Sequence, residues 1–189
     1  MIRIGILGDI GSGKSHVARN FGYPVFNADA EVGKLYKKDR KIFNKLKKVL
    51  PKYIYSFPIN KNEISNSILA NKANLKEIIK IVHLEIRKKM NIFLKKNINK
   101  KIIVMDIPLL LENKINKKND ILVFVQSKKT DISKRLKKRK NFNLDLYKKF
   151  KNIQLSPDYK KKKSQFIIKN DFTNKSINKS IKDILKEIL

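Results

Sequence analysis

The chain has 189 residues, enough for one domain with appended pieces and too few for two independent cores. Lys and Arg number 46 against 16 Asp and Glu, a formal net charge of +30, yet 41% of the residues are hydrophobic, which excludes a disordered basic tail protein. Cysteine is absent, so disulfide scaffolds, thiolate metal sites and cysteine nucleophiles are excluded as well. Of the 46 cations, 40 are Lys, scattered along the whole chain with abundant Ile and Asn. All three types have A/T-rich codons, so a biased genome explains the charge more simply than a polyanionic partner. No nucleic-acid-binding module is recognisable, and no specific nucleic-acid partner is expected. The opening residues show no leader pattern, and the longest apolar runs fall short of the roughly 18 residues that cross a bilayer. A cytoplasmic protein with no membrane partner is the expectation.

In chain order, Met1 to Leu7 reads as a buried strand closed by Gly8, and a helix follows from Gly13 to about Asn20, stopped by Gly22. Tyr23 to Ala28 reads as a second strand, ending at Asp29. Strand, helix and strand in so short a span predict a right-handed βαβ unit with parallel strands. Residues 30–100 read as mostly helical, broken at Pro51 and Pro58, with the best helix from about Asn74 to Lys96. Tyr53, Tyr55 and Phe57 in the broken stretch read as local packing rather than a base-stacking platform. Lys101 to Asp106 and Asp120 to Val125 are continuous Ile/Val-rich runs, as in strands covered on both faces. From Ser127 to Lys163 the chain is helical, very basic and poor in apolar residues, which predicts a mobile flap. Gln165 to Ile168 completes five strands, and Asn178 to Leu189 forms a closing amphipathic helix with Ser176 as its cap. Alternating strands and helices predict a three-layer α/β fold on a parallel five-stranded sheet.

The chemistry concentrates in a few places. Gly8, Asp9, Ile10, Gly11, Ser12, Gly13, Lys14 and Ser15 match the phosphate-binding loop G-x-x-x-x-G-K-[S/T] in full, between a strand and a helix as the motif requires. Glycines let the backbone wrap a phosphate chain with its N–H groups pointing inward. Lys14 would reach the β- and γ-phosphates, and the Ser15 hydroxyl would ligate Mg²⁺. Asp29, at the carboxyl end of the expected second strand, is placed to accept a proton from an attacking hydroxyl, and a helix N-cap accounts for it equally well. Asp106 ends the third strand, like the acid that holds Mg²⁺ through water in enzymes with this loop; a plain strand terminus before Pro108 explains it nearly as well. Arg135 and Arg139 share one helix face in the basic segment, in a chain with only six Arg, which hints at bidentate phosphate recognition. His83 and Arg87 also lie four apart on one helix face, where a packed core histidine is the simpler reading.

With these residues in view, the chain resembles the dephospho-coenzyme A kinase family nearly end to end. The likeness runs through "IGILGDIGSGKS" at Ile4–Ser15, "VFNADA" at Val25–Ala30, "VHLEIR" at Val82–Arg87, "DIPLLLE" at Asp106–Glu112, "RLKKR" at Arg135–Arg139, "NIQL" at Asn152–Leu155 and "FIIKN" at Phe166–Asn170. The resemblance implies one adenylate-kinase-like P-loop kinase domain: a core over about 1–30, 101–126 and 164–189, a helical coenzyme-binding insertion over about 31–100, and a lid over about 127–163. It implies ATP and Mg²⁺ as cofactors, dephospho-CoA as the small-molecule substrate, and transfer to the ribose 3′-hydroxyl; a monomer is the expectation, with an oligomer as the alternative. Asp29 matches the catalytic base, with Lys14 and Arg139 beside it in the catalytic set. Gly8, Gly11, Ser12, Gly13, Lys14, Ser15, His16, Arg135, Arg139 and Asn170 fall on the nucleotide side. Asp29, His83, Arg87 and Asp106 fall on the substrate side, and Ser15 and Asp106 on the metal. The sequence departs from the family where Asn27 stands for a usual Asp, Asp9 for a glycine and Leu84 for a proline. Ser164–Gln165 replaces an Ala-Asp pair, and Asp171–Phe172 stands where a glycine is customary. A nucleoside or nucleotide kinase of the same fold, and a basic nucleic-acid-binding ATPase, are the alternative readings.

Overall fold

The computed structural model describes residues 1–140 and 142–189. Two compact units are resolved: the first holds Met1–Asn27, Asn97–Phe142 and Lys151–Leu189, the second Ala28–Lys96 and Asn143–Phe150.

In the first unit, five strands, β1 (Ile2–Gly8), β2 (Val25–Asn27), β3 (Ile102–Asp106), β4 (Ile121–Gln126) and β5 (Phe166–Lys169), form one sheet in the order β2-β3-β1-β4-β5. Every pairing is parallel. β1 lies at the centre, which explains its unbroken apolar run: a strand flanked by β3 and β4 and covered on both faces offers no solvent side for polar residues. One face presents Ile4, Ile6, Ile102, Val104, Val123, Val125 and Ile168 to α1 (Lys14–Asn20) and α9 (Asn174–Ile188), through Val17, Ala18, Phe21, Ile177, Ile181 and Ile184. On the other face, a Cβ at Gly5 would come within 2.6 Å of Leu110 and 2.8 Å of Leu122, so the turn after β3 sits directly on the central strand. The parallel five-stranded sheet expected from the sequence is therefore present, layered between helices and turns.

Three local expectations need correction. The second strand is shorter than Tyr23–Ala28, running only over Val25–Asn27. Pro24 has no N–H for the ladder, and Ala28 is already helical. Asp29 consequently does not close a strand: it sits in the first turn of α2 (Ala28–Lys38), where a carboxylate complements the helix dipole. At the last helix the N-cap is Thr173, not Ser176. The Ser176 hydroxyl instead donates to Asp171 at 2.6 Å, and Asp171 also accepts from the Thr173 N–H and hydroxyl. These bonds hold the exposed Asp171 carboxyl down to about 2.

The basic segment is anchored through α6 (Lys129–Lys137) and α8 (Pro157–Lys162). In α6, Ile132 and Leu136 are buried, and both would stand 3.1 Å from a Cβ at Gly11. After α7 (Leu144–Asn152), α8 carries Lys160, 2% exposed, whose ammonium pairs with Glu112 at 2.8 Å. The same Glu112 oxygen accepts the Leu155 N–H.

The second unit is helical, with α2, α3 (Arg40–Val49), α4 (Lys61–Ala70) and α5 (Lys72–Lys96), the last packing against the other three. Its irregular stretch is tied down by the buried Glu63, which accepts the Tyr55 and Ser56 N–H groups and the Ser56 hydroxyl. Phe57 lies 5.5 Å from the Phe43 ring and under the Arg40 guanidinium, the local packing expected of it.

Candidate active site

The loop from Gly8 to Ser15 connects the carboxyl end of β1 to the start of α1. Gly13 caps the helix at φ 90°, a conformation that β-carbon sterics disfavour. A Cβ there would also overlap Asn170 Nδ2 and approach Phe172 to 3.3 Å. Glycine is thus required twice, by backbone conformation and by the close approach of the β5–α9 connection.

That connection holds the loop from behind. Asn170, 3% exposed, donates its amide to the Ser12 carbonyl at 2.8 Å and accepts the Phe172 N–H at 2.8 Å. The Ser127 hydroxyl donates to the same Ser12 carbonyl at 3.0 Å. Two side chains from the ends of β4 and β5 therefore fix one peptide of the loop. His16 Nε2 and Asn174 Oδ1 are 2.9 Å apart, adding a tie between α1 and α9. The Arg135 guanidinium lies 4.1 Å from the centroid of the Phe172 ring. Arg135 and Arg139 are exposed on and just after α6, with cationic ends accessible to a phosphate.

Lys14 folds back across the loop, donating to the Gly8 and Asp9 carbonyls at 3.2 and 2.8 Å. Asp9, which adds a negative charge to the loop, turns its carboxylate onto the Ile10 N–H at 2.8 Å. At the sheet edge, Asp106 is 2% exposed and is the register partner of Asn27. The Asn27 amide donates to Asp106 Oδ2, and its nitrogen is 3.5 Å from Ser15 Oγ. Ser15, Asn27 and Asp106 thus meet at one point although they come from α1, β2 and β3.

The donor chemistry of this point fits Mg²⁺, since the Ser15 hydroxyl and the Asp106 carboxylate are hard oxygen ligands. Among the described residues there is no group of three or more His, Cys, Asp or Glu that would make an all-protein cage. A cation held there would need further ligands from outside the protein.

The remaining candidates belong to the second unit. Asp29 is exposed in the first turn of α2. His83 and Arg87 lie one turn apart on α5, His83 half-buried and Arg87 exposed. Burial first, and the Arg87 charge second, hold the His83 imidazole below its ordinary 6.5, so it is neutral at physiological pH. Sequence reasoning missed Ser127, Phe172 and Asn174 as supports of the loop. The signal for Ser127 lay in its place directly after a strand at the sheet's carboxyl edge, where loop-supporting residues gather.

A family model described as dephospho-CoA kinase matches residues 2–176. A dephospho-CoA kinase of Wolbachia pipientis is 33% identical over 190 aligned positions, covering 98% of this chain and 97% of the relative. Among solved structures, a Thermus thermophilus protein superposes with a TM-score of 0.79 at 22% identity, over 100% of this chain and 98% of that one. A dephospho-CoA kinase from Campylobacter jejuni superposes at 0.64 and 20% identity, over 98% and 96% of the two chains. The two superpositions establish the shared fold, and no helix among the described residues is long and apolar enough to cross a membrane. With the phosphate-binding loop formed between β1 and α1 and the family model spanning the sheet from its first strand to its last, this chain belongs to the dephospho-CoA kinase family.

Proposed function

We propose that the protein transfers the γ-phosphoryl group of ATP to the ribose 3′-hydroxyl of dephospho-CoA, giving coenzyme A and ADP, the last step of coenzyme A biosynthesis. The observation that carries this reading is the loop itself: a complete phosphate-binding sequence between the central strand and α1, with Lys14 across it and Ser15 beside Asp106 through Asn27.

Backbone N–H groups of the loop bind the phosphate chain, and Gly8 and Gly13 permit the wrapping. Lys14 exchanges its resting carbonyls for the β- and γ-phosphates and neutralises them. Ser15 and Asp106 would hold Mg²⁺, which would neutralise phosphate charge during transfer. Arg139, assisted by Arg135, stabilises charge that spreads over the transferred group, and the segment 127–163 acts as a lid that excludes water. Asn170 serves the nucleotide side through Ser12, whose carbonyl it fixes. On the acceptor side, Asp29 orients the 3′-hydroxyl and takes its proton, His83 supplies a neutral hydrogen-bonding ring, and Arg87 meets the coenzyme's phosphates. Positioning outweighs proton removal, because phosphoryl-transfer transition states are loose. The proposal places the enzyme in the cytoplasm as a monomer, with core, helical insertion and lid divided as the sequence suggests.

Initial rates of ADP release with dephospho-CoA, compared with a panel of nucleosides and nucleotides, test the acceptor. Dephospho-CoA is expected to exceed every other acceptor in kcat/KM by about 100-fold or more, the discrimination available to a site that hydrogen-bonds its substrate. A nucleoside outrunning it would overturn the assignment.

A further inference from the structure

In this chain Asn27, at a position where the family usually has Asp, assembles the cation-facing edge. It and Asp106 are register partners on adjacent parallel strands, so their side chains leave the sheet on the same side. Asp106 is 2% exposed, and a carboxylate that deep requires a hydrogen-bond donor. The Asn27 amide supplies one, and the same nitrogen sits at the outer limit of hydrogen-bonding distance, 3.5 Å, from Ser15 Oγ. An acid at position 27 would have the same shape but would bring a second negative charge against Asp106, a contact relieved by a bound cation or by a shared proton.

We propose that Asn27 is a positioning residue whose neutral amide holds the Asp106 carboxylate, and beside it the Ser15 hydroxyl, in their working arrangement before any cation arrives. The edge is then preassembled without metal, and the hydrogen bond does what a divalent cation would otherwise have to do in the nucleotide-free protein. Only the cation arm of this inference rests on the kinase reading; the hydrogen-bonded pair is independent of any substrate.

The test is thermal unfolding of the full chain without nucleotide, at about pH 8, in EDTA and in millimolar Mg²⁺. Four proteins are compared: wild type, Asn27→Asp, Asp106→Asn and the exchange Asn27→Asp/Asp106→Asn. In EDTA the Asn27→Asp midpoint is expected to fall by about 5 °C or more, as a like charge set against the buried Asp106 carboxylate implies. Mg²⁺ is expected to recover at least half of that loss, while shifting wild type by less than about 2 °C. The exchange variant restores one donor and one carboxylate with the roles reversed, and is expected within about 3 °C of wild type in EDTA. An Asn27→Asp protein as stable as wild type in EDTA would overturn the proposal. So would an exchange variant that falls as far as Asn27→Asp, because the loss would then come from the backbone or from packing rather than from the pair. Failure of Mg²⁺ to recover Asn27→Asp overturns the claim that this edge faces a cation. None of these readings uses dephospho-CoA, so lack of turnover would refute the kinase assignment and leave this one standing.

Discussion

Gly13→Ala should damage this protein out of proportion to the single methyl group it adds. Gly13 sits at φ 90°, where an L side chain costs roughly 1–2 kcal/mol. The new Cβ would also occupy the position of the Asn170 amide, which is 3% exposed and makes two 2.8 Å hydrogen bonds, to the Ser12 carbonyl and from the Phe172 N–H. Displacing a buried amide from its partners costs about 1–3 kcal/mol more. The sum, roughly 2–5 kcal/mol, corresponds to a fall of about 5–15 °C in Tm for a chain of this length. Circular dichroism melts of Gly13→Ala, Asn170→Ala and the double variant separate the two contributions. Because the clash and the lost bonds involve the same atoms, the double variant should lose less than the sum of the singles. Gly33→Ala is the control, since no atom lies within 4 Å of a Cβ there and the residue is in α2. The same chemical change should there stabilise by about 0.5–1 kcal/mol through helix propensity. A Gly13→Ala midpoint within about 2 °C of wild type, or strict additivity with Asn170→Ala, would refute the view that Asn170 buttresses the loop.

Three other expectations follow from named contacts. Lys160→Met strands the Glu112 carboxylate, 10% exposed at the side chain, and should cost about 3–5 kcal/mol by urea denaturation; Lys160→Met/Glu112→Gln should recover most of it, because the amide oxygen still accepts from Leu155. Since His83 is held below 6.5 in the fold, the unfolded chain binds more protons as pH falls below that value. Its contribution is therefore full above 6.5 and is lost as the pH drops toward the folded pKa, so the urea midpoint should decline from about pH 7.5 to about pH 5.5 less steeply in His83→Asn than in wild type. Asp29→Ala is expected to lose turnover by about 100-fold or more while calorimetry still detects Mg·ATP binding, whereas Lys14→Ala weakens both; near-normal turnover in Asp29→Ala would remove the base assignment.

What the sequence made legible follows from where its physics is local. The phosphate loop is written in consecutive residues whose types are each required, and the central strands are written in unbroken Ile/Val runs, because burial on both faces leaves no alternation to misread. The second strand was overextended because Tyr23–Ala28 is apolar throughout, and strand or helix cannot be told apart by period in so short a run. Pro24 and the acids Asp29 and Glu31, favourable to a helix start, decide the boundaries that the structure shows. Ser176 was a reasonable cap in isolation, but Asp171 is near enough to take its hydroxyl. Lys160 was illegible for a different reason. It stands in a run of four lysines, Lys160 to Lys163, and only the distant Glu112 singles one of them out for burial. Asn170, placed by the family likeness on the nucleotide side, has both ends of its amide engaged with the loop and the following turn, a tertiary fact that no local pattern carries.

The most direct measurement supplies the protein with Mg²⁺, dephospho-CoA and ATP labelled with ¹⁸O in the γ-phosphoryl group, and locates the label in the products by fragmentation mass spectrometry. The account predicts coenzyme A carrying one labelled phosphoryl group on the ribose 3′-oxygen, with an equal amount of ADP. Unchanged dephospho-CoA beside labelled inorganic phosphate, or label on any other oxygen of the coenzyme, would contradict it.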